Sequence, residues 1–471
     1  FSAIAVLNEI GRPEIVPNAQ GERITPSVVS IDPESKVVSV GVDAVNDLGL
    51  YPDRVVTEIK RKMGTNDSFE VGGQTFSPAD ISALILKKLI GDASLIKGEI
   101  SDVVITVPAN WTNEARNATM EAGRLSGVNV TQIINEPTAA ALYYATEQNV
   151  NGRILIYDFG GGTFDVTVAD VSGQSIQVVT SEGDSHLGGK DIDLRLLEFA
   201  SEQYEKANGN PLKLKNLNNE ERASVEEWMI RCEGIKKAFS RKSLSERAIR
   251  LSIDGLIFEC VITRDEFNSI IEDYIQKSEA LIDVVLARAN SSADDISDVI
   301  LVGGSTRLSR VGESINKIFG KDPVVVGNVD EAVALGAAIS AGLNSDQSDL
   351  SPQQREILGK VSLVDVCNSY FGTEAVLERE ETGDVGVYNS IILGKDTQLP
   401  CSESKTFFTI ADSQTAVNCT VTQSKYPETR LDLVTIISES RLELPANLPA
   451  GSPIEVTFSY DENETMHCSF L

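Results

Sequence analysis

The stretch ILIYDFGGGTFDVTV, residues 154–168, carries the reading of the fold. A run that reads as a buried strand, Ile154 to Tyr157, meets Asp158 and then three successive glycines, Gly160, Gly161 and Gly162; a second strand resumes behind Thr163 and Asp165. Glycine weakens a strand interior and tolerates positive φ, so three together mark a tight turn or a place where something comes close to the backbone. The segment is not a Walker loop, and it fails GxGxxG because the required last glycine is Asp165. With a strand on each side it reads as a β-hairpin, whose backbone N–H groups can wrap a phosphate because no Cβ blocks the approach. Asp158 and Asp165 then stand where they can hold a hydrated Mg2+ or a monovalent cation, since hard cations take oxygen ligands. Thr163 adds a hydroxyl at the same point. The alternative is an ordinary glycine-rich turn whose aspartates only solvate it.

Composition narrows what such a hairpin could serve. A chain of 471 residues exceeds one ordinary core, so several domains are expected. Hydrophobic content of 41% beside 24% charged residues fits a globular protein. Without an apolar run long enough for a membrane span, no membrane association is expected. The net charge of −29 argues against a nucleic-acid partner, so a phosphate site must be locally basic or built from backbone N–H groups. Six cysteines without a CxxC pair, beside two histidines, make a zinc site improbable and suit reduced thiols in a cytoplasmic protein.

Along the chain, residues 1–342 alternate β-branched runs such as VVITV (103–107) and VILVGG (299–304) with helical stretches, the pattern of an α/β domain with covered sheets. ISDVVITV from Ile100 and ISDVILVGG from Ile296 form a faint internal repeat, which points to a duplicated architecture. Residues 343–366 read as a linker, polar and acidic at first, and residues 367–471 as an all-β module of short runs such as SIILG, AVNCTV and IEVTFSY.

Two further motifs join the hairpin. In WMIRCEGIKKAFS (228–240), Glu233, Lys236, Lys237 and Ser240 fall on one helical face that suits a ribose and base, although a solvated face with an intrahelical ion pair has the same spacing. In VGGSTRL (302–308), a strand ends in Gly303 and Gly304, which permit close backbone approach; Ser305 follows, and Arg307 offers a planar cation able to stack on a base. The bland reading of this motif is a strand-to-helix turn.

On these segments, together with NAQGERITPSVV (18–29), IKRKMG (59–64), VVITVPANW (103–111), IINEPTAAAL (133–142), GDSHLGGKDID (183–193), VDEAVALGAA (329–338) and VSLVDV (361–366), the chain resembles the heat-shock protein 70 (DnaK-type) chaperones over nearly its whole length. The resemblance implies an actin-like, ribonuclease H-like duplicated ATPase domain of two lobes that close on Mg-ATP. A hydrophobic linker would follow, and then a β-sandwich that grips extended polypeptides. It implies ATP or ADP, Mg2+ and K+ as cofactors. Lys60 would orient the attacking water and stabilise charge on the γ-phosphate, Glu136 would sit near the metal waters, Asp158 and Asp165 at the cation sites, and Thr163 close to the γ-phosphate. Gly160, Gly161 and Gly162 would wrap phosphate, and Gly189, Gly303 and Gly304 would approach the nucleotide backbone-first. Glu233, Lys236, Lys237, Ser240, Ser305, Arg307 and Asp330 would hold the adenosine, Pro108 would be the switch proline, and Ala416 would occupy an arch position over the peptide groove.

The departures are specific. Gln132 replaces an arginine that in bacterial members contacts the linker and J-domain partners, Lys190 replaces an acidic residue, Val329 replaces a proline, and CNSYFG (367–372) stands for TPLSLG. Unfolded polypeptides and a nucleotide exchange factor are the expected partners; a J-domain protein is in question because of Gln132. The strand FSAIAVL (1–7) is expected to leave a first phosphate hairpin lying before Phe1, and no helical lid is expected after Leu471. The competing functions are an ATP-binding co-chaperone or regulator that no longer hydrolyses, and a small-molecule kinase of the actin-like superfamily.

Overall fold

The computed structural model describes residues 1–71, 73–148, 150–378, 385–461 and 465–471. The chain divides into two compact units, Phe1–Ile176 with Glu182–Ser362, and Gln177–Ser181 with Leu363–Leu471.

In the first unit the glycine hairpin is central. Strands Val150–Phe159 and Phe164–Gly173 pair antiparallel, with Asp158 opposite Asp165 and Phe159 opposite Phe164. Strand Ile296–Val302 lies parallel to Val150–Phe159 on its other side. Ser175–Asp184 follows beyond Phe164–Gly173. Every residue from Ile154 to Phe159 is buried, so both faces of this strand are covered, as an uninterrupted apolar run requires. Helices Glu136–Glu147 and Arg264–Arg288 pack against the hairpin strands. The Tyr157 hydroxyl in this run is satisfied, because it meets the Ser278 hydroxyl at 2.8 Å.

The earlier half of the unit carries the other member of the faint repeat. Asp102–Val107 pairs parallel with Asn129–Asn135 across helix Asn113–Ser126, as Ile296–Val302 pairs parallel with Val150–Phe159. A core of Val29, Ile31, Val56, Ile59, Ile81 and Ile85 packs helix Pro78–Lys97 on a three-stranded sheet. Helices Glu136–Glu147 and Ala332–Leu343 cross backbone to backbone: a Cβ on Gly336 would fall 1.7 Å from the carbonyl oxygen of Ala139. This close crossing fixes the helix whose first residue is Glu136. Ser351 caps a short helix, Pro352–Leu358, through a reciprocal bond with Gln354. No helix among the described residues is long and apolar enough to cross a membrane.

The second unit is a pair of antiparallel sheets. One has the order Val385–Leu393, Tyr370–Glu378, Ala416–Ser424, Thr435–Glu443; the other has Cys401–Phe408, Pro453–Tyr460, Met466–Phe470. In Pro453–Tyr460 the buried positions are Ile454, Val456, Phe458 and Tyr460, the two-residue alternation of a strand with one face inward. They meet Cys367, Phe371, Leu393 and Val421 to form a sandwich core.

Candidate functional site

The turn of the glycine hairpin is closed by the Gly160 amide donating to the Thr163 carbonyl, 3.0 Å. Each glycine carbonyl is then tied back by a different donor. The Gly160 carbonyl accepts from the Gly189 amide at 3.0 Å and the Ser305 hydroxyl at 2.8 Å, and the Gly161 carbonyl accepts from the Lys190 amide at 2.9 Å. The Gly162 carbonyl accepts from Arg61 Nε at 3.0 Å and Nη2 at 2.8 Å. In a planar trans peptide the N–H points opposite to the preceding carbonyl, so the amides of Gly161, Gly162 and Thr163 face away from these ties. The hairpin is thereby a run of three donors set opposite its carbonyl ties.

None of the three glycines has positive φ, so turn geometry does not demand them. Close packing falls instead on a neighbour: a Cβ on Gly188 would lie 2.6 Å from the Gly162 backbone, whereas one on Gly160 or Gly162 would meet nothing nearer than 3.4 Å. A Cβ on Gly161 would meet nothing within 4 Å, which marks the open side of the turn.

Beside the turn stand the two aspartates. Asp158 and Asp165 are 7% and 1% exposed, and neither oxygen of Asp165 has a hydrogen-bond partner. The backbone crowds both, since a Cβ on Gly183 would fall 2.5 Å from Asp165 Oδ1 and one on Gly303, at φ 82°, would fall 2.8 Å from Asp158 Oδ1. Burial pushes the Asp158 carboxyl up to about 7, with Glu136 adding to the rise and Lys60 opposing it. Burial also holds Asp165 well above the usual carboxylate range; Asp158 and Glu136 reinforce this, and Lys60 and the Asn110 backbone oppose it. Two buried carboxylates facing across one strand pair, one of them unpartnered, suit a bound cation. Among the described residues no three His, Cys, Asp or Glu side chains cluster as direct ligands, so a hard cation here would keep water in its shell.

Lys60 lies in the 3-10 turn Ile59–Lys62, and its Nζ meets Glu136 Oε1 at 2.6 Å. Its side chain is 43% exposed. Desolvation works against its charge, but Glu136, Asp158 and Asp165 outweigh that and hold its pKa above the ordinary value. Asn135, just before Glu136, accepts from Arg116 Nη2 at 2.6 Å, and the same nitrogen reaches the Ala109 carbonyl at 3.4 Å. The loop that begins at Pro108 is thus tied to the residue next to Glu136.

The four residues of the helical face separate in the structure. Lys237 and Glu233 form the intrahelical pair, 2.9 Å, with Lys237 exposed. Lys236 turns inward, donating to the Gly189 carbonyl and to Asp193 Oδ2, both at 2.9 Å. Ser240 follows the last residue of helix Asn219–Phe239. Arg307 is held flat by Asp330 Oδ2 at 2.6 Å and Asn328 Oδ1 at 2.7 Å, beside Gly304, where a Cβ would lie 2.9 Å from Asp330 Oδ1. Gln132 accepts from Ser340 Oγ at 2.5 Å and Asn344 Nδ2 at 2.7 Å. In the second unit, half-buried Ala416 begins its strand opposite Glu443.

Hydrogen bonds and backbone pairing therefore link Gly160, Gly161, Gly162, Gly189, Lys236 and Ser305 in one network, and link Asp158 to Asp165 and Lys60 to Glu136. Sequence reasoning missed Arg61, Gly183, Gly188 and Asp193, and saw Lys190 only as a departure. Adjacency to Lys60 was the available signal for Arg61, and the Gly188–Gly189 doublet was the signal for Gly188.

The family model described as "Hsp70 protein" matches residues 1–71 and 67–469. The chain is 38% identical over 476 residues to the chaperone protein DnaK of Thermotoga neapolitana, covering 99% of this chain and 76% of that protein. It is 37% identical to DnaK of Thermotoga petrophila with the same coverage, and 36% identical over 475 residues to DnaK of Thermosipho africanus, covering 99% and 75%.

Proposed function

The chain belongs to the Hsp70 family, and from that premise we propose that it is a chaperone that binds and hydrolyses Mg-ATP in residues 1–342 and couples turnover, through a linker at 343–366, to capture of extended hydrophobic polypeptide segments by residues 367–471. The observation that carries the ATP reading is the pairing of a donor row at Gly161, Gly162 and Thr163 with unpartnered, buried Asp165.

The row of amides binds the phosphates, and Asp158 and Asp165 hold the water shell of Mg2+, with K+ at the same carboxylates. Mg2+, when bound, supplies positive charge against the phosphate oxygens. Lys60, held by Glu136 at 2.6 Å, orients the attacking water and meets charge developing on the γ-phosphate. Thr163, nearly buried, presents its hydroxyl beside the same phosphate. Gly303 and Gly304 let the backbone come close to the nucleotide. Arg307, whose planar guanidinium is oriented by Asp330 and Asn328, stacks on the base. Glu233, Lys237 and Ser240 take the outer edge of the adenosine, and Lys236, anchored by Asp193 with Ser305 nearby on the hairpin, takes the inner one.

Pro108, whose loop is tied to Asn135, relays the nucleotide state to the linker. Ala416 sits over the peptide groove. Unfolded polypeptides are the clients and a nucleotide exchange factor is a partner. The Gln132 side-chain oxygen is held by Ser340 and Asn344, which favours weak response to a J-domain protein. All six cysteines are free thiols, in keeping with a cytoplasmic setting.

Single-turnover hydrolysis of ATP, with and without an extended hydrophobic peptide, tests the reading. The expected result is turnover that depends on Lys60 and responds to peptide. Equal rates for wild type and Lys60→Ala would remove Lys60 from the mechanism; binding without hydrolysis would leave an ATP-binding regulator, and phosphate transfer to a sugar would make the protein a kinase.

A further inference from the structure

Arg61 is placed unlike any other cation of the site. It leaves the same 3-10 turn as Lys60, yet its guanidinium is spent on the hairpin side: Nε and Nη2 on the Gly162 carbonyl, and Nη1 and Nη2 on Asp191 at 3.3 and 2.5 Å. Its side chain is only 16% exposed. Asp191 is already committed, because its Oδ2 accepts the Gly188 amide at 2.8 Å, next to the glycine that packs on Gly162. A second contact runs in parallel. Glu58, which precedes the turn in a left-handed conformation at φ 55°, lies 3.5 Å from Lys190 Nζ and 3.7 Å from Arg61.

We propose that Arg61 is a positioning residue which holds the Lys60 turn in register with the glycine hairpin, and that Glu58 and Lys190 form the second point of the same clasp. The physical reason is the fork of the guanidinium: its fixed N–H directions hold a carbonyl and a carboxylate together, which sets the orientation of the turn as well as its distance. Lys60, one residue away, is thereby set against whatever the donor row binds. Opening of the site for nucleotide release must break the Arg61 bonds to Gly162 and Asp191. The positive charge of Lys190 finds its partner in Glu58. The assignment rests on the ATP reading above for its kinetic consequence, but the clasp itself has a signature that needs no nucleotide.

That signature is hydrogen exchange in the nucleotide-free full chain. Arg61→Lys keeps the charge and loses the fork, so the amides of Gly189 and Lys190, which donate to the hairpin, should exchange faster than in wild type. With ATP, the same variant should lose about 10- to 100-fold in kcat, the scale of a misplaced catalytic group, with KM changed much less. Lys190→Glu should speed ADP release by about 3- to 10-fold through like-charge repulsion with Glu58, and the double exchange Glu58→Lys with Lys190→Glu should restore it.

Unchanged exchange at Gly189 and Lys190 in Arg61→Lys overturns the clasp, whatever becomes of the ATP reading. If Lys60→Ala is inactive while Arg61→Lys keeps wild-type kcat, the clasp fails and the ATP reading stands. Should Arg61→Lys not fold, the charge-exchange series decides: no change in ADP release on Lys190→Glu, or no restoration in the double variant, overturns the proposal.

Discussion

Asp165 in the glycine hairpin and Asn389 in the sandwich are equally deep, 1% and 2% exposed, and differently treated. Asn389 Nδ2 donates to the Glu428 carbonyl at 2.7 Å, its Oδ1 accepts from Thr422 at 2.6 Å, and its amide donates to the Thr429 carbonyl at 2.8 Å. Asp165 has no hydrogen-bond partner for either carboxylate oxygen, and it faces a second carboxylate. Buried polar groups in a fold are ordinarily satisfied, because leaving one unpaired costs about 1–3 kcal/mol. Asn389 follows that rule and holds loop to strand. Asp165 departs from it, and the proposed cation site is the reading that accounts for the departure.

The contrast can be broken most sharply at Asp165 itself. Asp165→Asn removes one of two facing carboxyl groups, so ATP turnover should fall by at least about 10²-fold while the melting temperature holds or rises. Single-turnover kinetics beside calorimetry check it; a loss of stability would place Asp165 in the same class as Asn389.

The second effect is one of pH. Asp158 is pushed up to about 7 in the folded protein, above its unfolded value, so the native state holds protons that the unfolded chain releases. Stability of the ligand-free protein should therefore be greatest below about pH 4 from this group and be lost as pH rises toward 7. Asp158→Asn should flatten that slope in urea unfolding measured across the range, and Mg-ATP should do the same for wild type.

Third, Asn389→Leu should destabilise the sandwich by about 1–3 kcal/mol, since Thr422 and the Glu428 carbonyl lose their partner. Basal ATP turnover should not move. Smallest is Gln132→Ala, which leaves the Ser340 hydroxyl without its acceptor while Asn344 keeps the Ser340 carbonyl, and should cost about 1 kcal/mol with basal turnover intact. A drop in turnover there would shift Gln132 from the satisfied class to the functional one.

How much of this was legible depends on the range of each interaction. The hairpin, the alternation of strand and helix before residue 343 and the short strands after it are written in local periodicity, and the structure has them where the sequence implies. The reason for the glycines was only half legible: positive φ does not occur at Gly160, Gly161 or Gly162, and the position where close packing forbids a side chain is Gly188, against the Gly162 backbone. The helical face of Glu233, Lys236, Lys237 and Ser240 looked uniform, yet spacing could not tell that Lys236 would be drawn to Asp193, 43 residues away.

The sequence by itself determined the hairpin, the two kinds of domain and the residues that carry the family resemblance, because strand and helix periods and glycine doublets are properties of neighbouring residues. Only the tertiary structure decided which groups face the ligand and which are spent on the frame. Arg61 meets Gly162 across 101 residues and Asp191 across 130, and such a pairing exists only once the chain has closed upon itself. The same closure buries Asp165 without a hydrogen-bond partner, and no local pattern in the sequence records that burial.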